Sequence, residues 1–231
     1  MRALFSLFVF AAVLCAGGHD APAAMAPEQA LARLRAGNTR FVKHKEKHPD
    51  ISFDRRRSIS RDGQHPYAVI LGCSDSRVPP ELIFDEGLGD LFVIRDAGNV
   101  VDDEVLGSIE YAVEHLGVRL VVVLGHEKCG AVSAAVAGGE AHGHIKSVMK
   151  AIQPAVDETA GMPGDHVHNC VLANARRVAR LIRESEPILK PAVDRKQIQV
   201  VAADYDLETF MVEFLDLPAA AGKNALQSAL K

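Results

Sequence analysis

The sequence predicts an α/β domain: a mostly parallel central β-sheet flanked by helices, preceded by an N-terminal helical arm. Three observations carry that expectation. Residues 67–71, 91–94 and 120–124 are apolar runs without alternation, as in strands buried on both faces, and 198–201, apolar but for Gln199, reads as a fourth strand. Helically spaced segments separate them, which gives the strand–helix–strand order of a parallel sheet. Chemistry-bearing polar residues follow two of these runs at once, at the edge where parallel sheets collect ligands.

The elements follow in chain order. Residues 3–16 are apolar and uncharged behind Arg2, and Ala21-Pro22-Ala23 supplies a small-x-small site, the layout of a secretory signal peptide over 1–23. At about 14 residues the apolar stretch is short of the roughly 18–20 of a membrane span. A periplasmic or secreted protein without stable membrane insertion is therefore expected. Residues 24–63 read as the helical arm and its connection. Pro27 opens a helix with Leu31, Leu34, Phe41 and Val42 on its apolar side, and the charged stretch 43–61 reads as exposed connection.

Residues 64–231 form the expected α/β domain. After the strands at 67–71 and 91–94, Asp102 or Asp103 caps a helix carrying Val105, Ile109, Ala112, Val113 and Leu116, stopped by Gly117. The strand at 120–124 leads into an alanine-rich helix. Val171, Ala175, Val178 and Ile182 mark another amphipathic helix, 198–201 is a fourth strand, and 211–214 is a candidate edge strand.

A formal net charge of −4 and the absence of Trp provide neither a basic face nor a stacking platform for nucleic acid. Beyond the signal, Cys73, Cys129 and Cys170 remain, an odd number that cannot be fully paired within one chain. In an oxidising compartment metal ligation would protect thiols that lack a partner. No C-x-x-C is present to argue for a redox protein.

Two motifs carry the chemistry. Cys73-Ser74-Asp75-Ser76-Arg77 follows the first strand, and Gly125-His126-Glu127-Lys128-Cys129 follows the third. His126 and Cys129 have H-x-x-C spacing, weak evidence alone. With Cys73 they make a Cys2His set suited to zinc, and three protein ligands leave the fourth position open as in catalytic sites. Two thiolates neutralise Zn2+, and Asp75 lies close enough in sequence to occupy the open position. Arg77 can hold that carboxylate in a bidentate pair and draw it off the metal. The plainer alternative is a loop salt bridge of little consequence.

The stretches CSDSRVPPELIF, RDAGNVVDDEVLGSIEYAVEHLGV and VVVLGHEKCGAV resemble β-class carbonic anhydrases, closely over 64–133 and more loosely over 27–215. The resemblance implies a β-carbonic anhydrase fold, with Cys73, His126 and Cys129 as ligands of one zinc and Asp75 and Arg77 as a catalytic dyad. The implied reaction is reversible hydration of CO2 to bicarbonate and a proton by hydroxide on zinc. Gln64, Phe92 and Tyr111 fall on pocket positions of the plant-like branch, part of that pocket coming from a neighbouring subunit, and Gly130 supplies backbone beside the bound anion. As plain alternatives, Gln64 caps a loop, Phe92 is core and Tyr111 packs an interface. Arg95 and Asn99 are expected to stabilise the loop beside the site. Bicarbonate-regulated members of the other branch carry a tryptophan, which this chain lacks, so a site open to water is expected. A homodimer with a joined sheet, or a homotetramer, is also implied.

Two other functions share this framework: hydrolysis of CS2 or COS, and a non-catalytic zinc- or bicarbonate-binding module. His142, His144, His166 and His168 are candidates for a proton relay or, with Cys170, for a second metal site. The simpler reading is surface histidines and a buried thiol.

Overall fold

A computed structural model describes residues 24–215. The expected signal peptide at 1–23 lies outside the described residues. The chain forms α1 (Pro27–Val42), α2 (Phe53–Asp62), β1 (Ala68–Gly72), α3 (Pro80–Ile83), β2 (Leu91–Arg95), α4 (Asp103–His115) and β3 (Leu120–His126). It continues through α5 (Gly130–Ala137), α6 (Ile145–Glu158), α7 (His166–Glu184), α8 (Leu189–Asp194), β4 (Gln199–Tyr205) and β5 (Val212–Phe214). Among the described residues no helix is long and apolar enough to cross a membrane.

The strands form one sheet in the order β2-β1-β3-β4-β5, parallel except for the β4–β5 pair. Alternate side chains sort to its two faces. Val69, Leu71, Val121 and Val123 pack with Val105 and Ile109 of α4 and Val178 and Ile182 of α7. Ile70, Val122 and Leu124 pack on the other face with Ala30 and Leu34 of α1 and Ile83 of α3. Burial of both faces explains why β1 and β3 are continuously apolar, each enclosed Val, Leu or Ile contributing about 1.5–3 kcal/mol. The β2 strand departs from this pattern. It lies at the sheet edge, and Phe92, Val93 and Ile94 are only half-buried.

Pro27 occupies the first turn of α1 as expected. That helix is pressed close to α3: a Cβ on Gly37 would lie 1.8 Å from the Phe84 carbonyl oxygen. Asn38 ties the same helix to β5, its Oδ1 accepting from the Val212 N–H at 2.9 Å. The segment 43–61 corrects an expectation, because α2 begins within it. The Ser52 hydroxyl caps that helix by accepting from the Arg55 N–H at 3.1 Å. None of its residues is buried, so the helix has no apolar stripe for a periodicity argument to detect.

The α4 helix is capped by the Asp102 side chain, and Gly117 just beyond it takes the left-handed conformation expected of a helix stop. A third apolar cluster gathers Val132 of α5, Ile152 and Ala155 of α6, and Cys170 and Val171 of α7 around Cys73 and Cys129. It lies beyond the carboxyl ends of β1 and β3 and walls off what those ends carry.

Candidate metal centre

Parallel register brings the two motifs together. Gly72, the last residue of β1, pairs with Leu124 of β3. Cys73 then emerges level with Gly125, one residue from His126 at the end of β3. Lys128 takes a positive φ of 52° and turns the chain back, so that Cys129 stands at the N-cap position of α5. The candidate ligand atoms of Cys73, His126 and Cys129 all lie within 4.8 Å of one another. The sulfurs are 3.9 Å apart, and all three residues are buried.

This donor set fits a zinc ion. His126 Nδ1 lies 2.8 Å from the Glu127 carbonyl oxygen, and since a carbonyl only accepts, Nδ1 must carry the proton. The lone pair is then on Nε2, a buried atom with no hydrogen-bond partner. An imidazole oriented by a backbone carbonyl and presenting its other nitrogen to two sulfurs is a common arrangement of a metal-binding histidine. The sulfurs themselves favour a cation. A hydrogen bond from Cys129 holds the Cys73 thiol well below its ordinary range against the opposing effect of burial, with the Gly98 N–H adding to the lowering. Cys129 is pushed up in turn, because it keeps the proton that Cys73 uses and because it is buried. A divalent ion held by Cys73, His126 and Cys129 would take the place of that proton and balance the charge of two thiolates.

Asp75 and Arg77 stand beside the cluster. Arg77 donates from Nε to Asp75 Oδ1 at 2.9 Å and from Nη2 to Oδ2 at 2.7 Å, and its backbone N–H also reaches Oδ1 at 2.9 Å. These bonds pull the Asp75 carboxyl down to about 2. Its Oδ2 remains 4.0 Å from His126 Nε2, close to the donor set yet held by the guanidinium. The Arg77 fork also reaches the Lys128 carbonyl at 3.3 Å, linking the two motif loops.

Sequence reasoning missed part of the support. Arg95 was expected beside the site, and it donates to the carbonyls of both Cys73 and Asp75. Gly98 and Asn174 were not singled out. The Gly98 N–H points at Cys73 Sγ from 3.3 Å, and Asn174 Nδ2 holds the Gly98 carbonyl at 2.9 Å. Gly98 has a φ of 72°, and a Cβ there would lie 2.7 Å from Ile152 Cδ1, so only glycine fits without rearrangement. Asn174 had a readable signal, a polar residue between Val171 and Ala175 on the apolar stripe of α7.

The remaining candidates are not among the three grouped ligands. Gly130 opens α5 next to Cys129 and is exposed. Gln64 precedes β1, at the end of the sheet opposite Cys73, beside His115 and Gly117. Phe92 pairs with Val69 on β2, and its ring centroid is 6.4 Å from that of Tyr111, which is 47% exposed on α4. Within one chain these three do not line the cluster. His142 and His144 are exposed, while His166 and His168 lie on the first turn of α7. Among the described residues only Cys73, His126 and Cys129 group as metal ligands. Cys170 is a buried free thiol, pushed up to about 11 by burial.

A family model described as carbonic anhydrase matches residues 68–212. The chain belongs to the carbonic anhydrase family. Carbonic anhydrase 2 of Mycobacterium tuberculosis is 52% identical over 134 residues, covering 56% of this chain and 64% of that one. The chain thus spans slightly less than two thirds of the length of that relative. A carbonic anhydrase of Pseudomonas aeruginosa is 35% identical over 172 residues, 66% of this chain and 74% of that one. Among solved structures, a tetrameric β-carbonic anhydrase of Sordaria macrospora aligns with a TM-score of 0.65 at 25% identity, covering 80% of this chain and 96% of the other. The β-carbonic anhydrase CafA of Aspergillus fumigatus aligns with a TM-score of 0.62 at 26% identity, over 88% and 98%. These likenesses identify the fold as that of the β-carbonic anhydrases.

Proposed function

We propose that the chain catalyses the zinc-dependent, reversible hydration of CO2 to bicarbonate and a proton. The observation that carries this reading is the Asp75 carboxylate, 4.0 Å from the ligand nitrogen of His126 and clamped by both arms of Arg77. Zinc held by Cys73, His126 and Cys129 would act as a Lewis acid that lowers the pKa of a water in its open position toward neutrality. Asp75, ionised throughout the neutral range, can only accept hydrogen bonds. It therefore accepts from the water and turns the water's lone pair toward the carbon under attack. Arg77 keeps the carboxylate from becoming a fourth protein ligand. Val132, Ile152 and Val171 exclude bulk water behind the sulfurs. Stopped-flow CO2 hydration with Asp75→Asn at measured zinc content tests the reading. Turnover should fall at least about a hundredfold with the metal retained. Undiminished turnover would overturn the role of Asp75, and absence of CO2 hydration in the zinc-loaded parent would leave a zinc-binding module.

A second copy would complete the substrate pocket in the manner of the plant-like branch. Gln64, Phe92 and Tyr111 stand away from the cluster within one chain, β2 offers an open edge with half-buried apolar side chains, and Tyr111 is exposed. Export is proposed on the residue pattern of 1–23 alone. Light scattering and N-terminal sequencing of the mature protein check the two statements, a monomer or an intact Met1 counting against them.

A further inference from the structure

Arg33, Arg40 and Arg77 each grip a carboxylate. Arg95 directs its fork at main chain instead. It ends β2 in register with Gly72, and the Asp96 N–H carries the pairing one step further, to the Gly72 carbonyl at 3.1 Å. From that strand end the guanidinium reaches across to the first motif loop. Nε donates to the Cys73 carbonyl at 2.9 Å, and Nη2 donates to the Asp75 carbonyl. Among the described residues these are the bonds that tie backbone carbonyls of 73–77 to another element. The other bond there is local, from the Val78 N–H to the Asp75 carbonyl at 3.1 Å.

The two carbonyls belong to a candidate metal ligand and to the acid that the proposed function relies on. Arg77 orients the Asp75 carboxylate, but it rides on the same loop, and its bond to the second motif is a single contact with the Lys128 carbonyl at 3.3 Å. A planar guanidinium presents two donors at a fixed separation and so holds two carbonyls at a fixed separation, which a point-charge ammonium does not. With that hold in place, Asp75 Oδ2 stands 4.0 Å from His126 Nε2. Displacement of a reacting group by about 1 Å can cost about a hundredfold in rate. We propose that Arg95 is a positioning residue for CO2 hydration: its fork sets the main-chain position of Asp75 relative to Cys73, and with it the reach of the Asp75 carboxylate. This inference rests on the role of Asp75 given above.

Arg95→Lys keeps the charge but offers one nitrogen in place of two. The kcat for CO2 hydration should fall at least about tenfold, with KM and zinc content at the values of the parent. In an Asp75→Asn background the same substitution should cost nothing further, because a residue that acts through Asp75 then has nothing left to position. A crystal structure of Arg95→Lys should show Asp75 Oδ2 farther than 4.0 Å from His126 Nε2, with Arg77 still on the carboxylate. Arg95 is exposed, so guanidinium ion added to Arg95→Ala should restore part of the turnover, and urea at the same concentration should not. Undiminished kcat, equal loss in both backgrounds, loss of zinc in step with turnover, an unmoved Asp75 or rescue no better than that by urea would each overturn the proposal. If the zinc-loaded parent does not hydrate CO2, the proposed function fails instead, and the Asp75 displacement alone still decides whether Arg95 places the acid.

Discussion

Asn174→Ala separates a residue that supports the metal from one that merely fills the core. Asn174 is 1% exposed on α7 and touches none of the three candidate ligands through a hydrogen bond of its own. Its influence runs through Gly98: the Asn174 amide holds the Gly98 carbonyl at 2.9 Å, and the Gly98 N–H is directed at Cys73 Sγ from 3.3 Å. The other half of the amide, Oδ1, has no partner among the described residues, so truncation removes one hydrogen bond rather than two. A buried carbonyl left unpaired costs about 1–3 kcal/mol. Loss of a group that orients a ligand typically weakens metal affinity about 10–100-fold. Urea unfolding of the zinc-loaded protein measures the first quantity, and competition with a chromophoric zinc chelator measures the second. Ile182→Val is the control, on the same helix and fully buried, with an expected cost of about 0.5–1.5 kcal/mol and unchanged zinc affinity. If the two variants leave zinc affinity equally intact, or lower it equally, the relay through Gly98 is wrong and Asn174 acts only on stability.

Arg77→Lys keeps the charge but loses the fork that grips both oxygens of Asp75. Turnover should fall at least about tenfold with zinc retained, and the cobalt-substituted protein should show the spectrum of four protein ligands; an unchanged spectrum with full turnover would refute the clamp. Asp75, lowered to about 2 from 3.8, contributes stability above its unfolded value that is lost only as pH falls through about 2. The rate profile between pH 5 and 9 should therefore contain no inflection from Asp75, and loss of such an inflection in Asp75→Asn would contradict this. Asp204 has the opposite sign. Burial raises its carboxyl from 3.8 to about 6, so stability should decline as pH rises through that window, by up to about 3 kcal/mol. Asp204→Asn should remove the decline between pH 4 and 7 in urea unfolding, and an unchanged slope would refute the assignment.

The metal-binding half of the site was legible because parallel strands run in one direction. Any two motifs that follow such strands must meet at one edge, and the register of Gly72 with Leu124 sets how closely Cys73 approaches His126. Residue types then define the chemistry, two thiols and an imidazole with an acid and a guanidinium nearby. The α2 helix left no comparable trace, since a helix with no buried residue needs no apolar period. Asn174 was passed over for a different reason: a polar residue on an apolar stripe is a visible break, but nothing in the sequence names its partner, which lies 76 positions earlier. Gln64, Phe92 and Tyr111 were found by likeness to a family rather than by any spacing. The placement of Gln64 away from the cluster follows from topology, because it precedes the strand that Cys73 follows.

The same topology accounts for the place of Asp204. A strand enclosed on both faces has no room for charge along its length, so polar side chains gather where it leaves the sheet. Successive strands in a parallel sheet lie about 4.8 Å apart, and β1, β3 and β4 deliver Cys73, His126 and Asp204 to one edge in that order. The first two donors converge with Cys129 because the turn through Lys128 folds back over them. Asp204 lies on the far side of β3 from Cys73 and lines a cavity with residues of α7 and β5 instead. What separates it from the sulfurs is therefore the strand that carries His126. A substitution confined to Asp204 should leave the sulfur ligands in place, which is why zinc content is an independent control on the Asp204→Asn measurement.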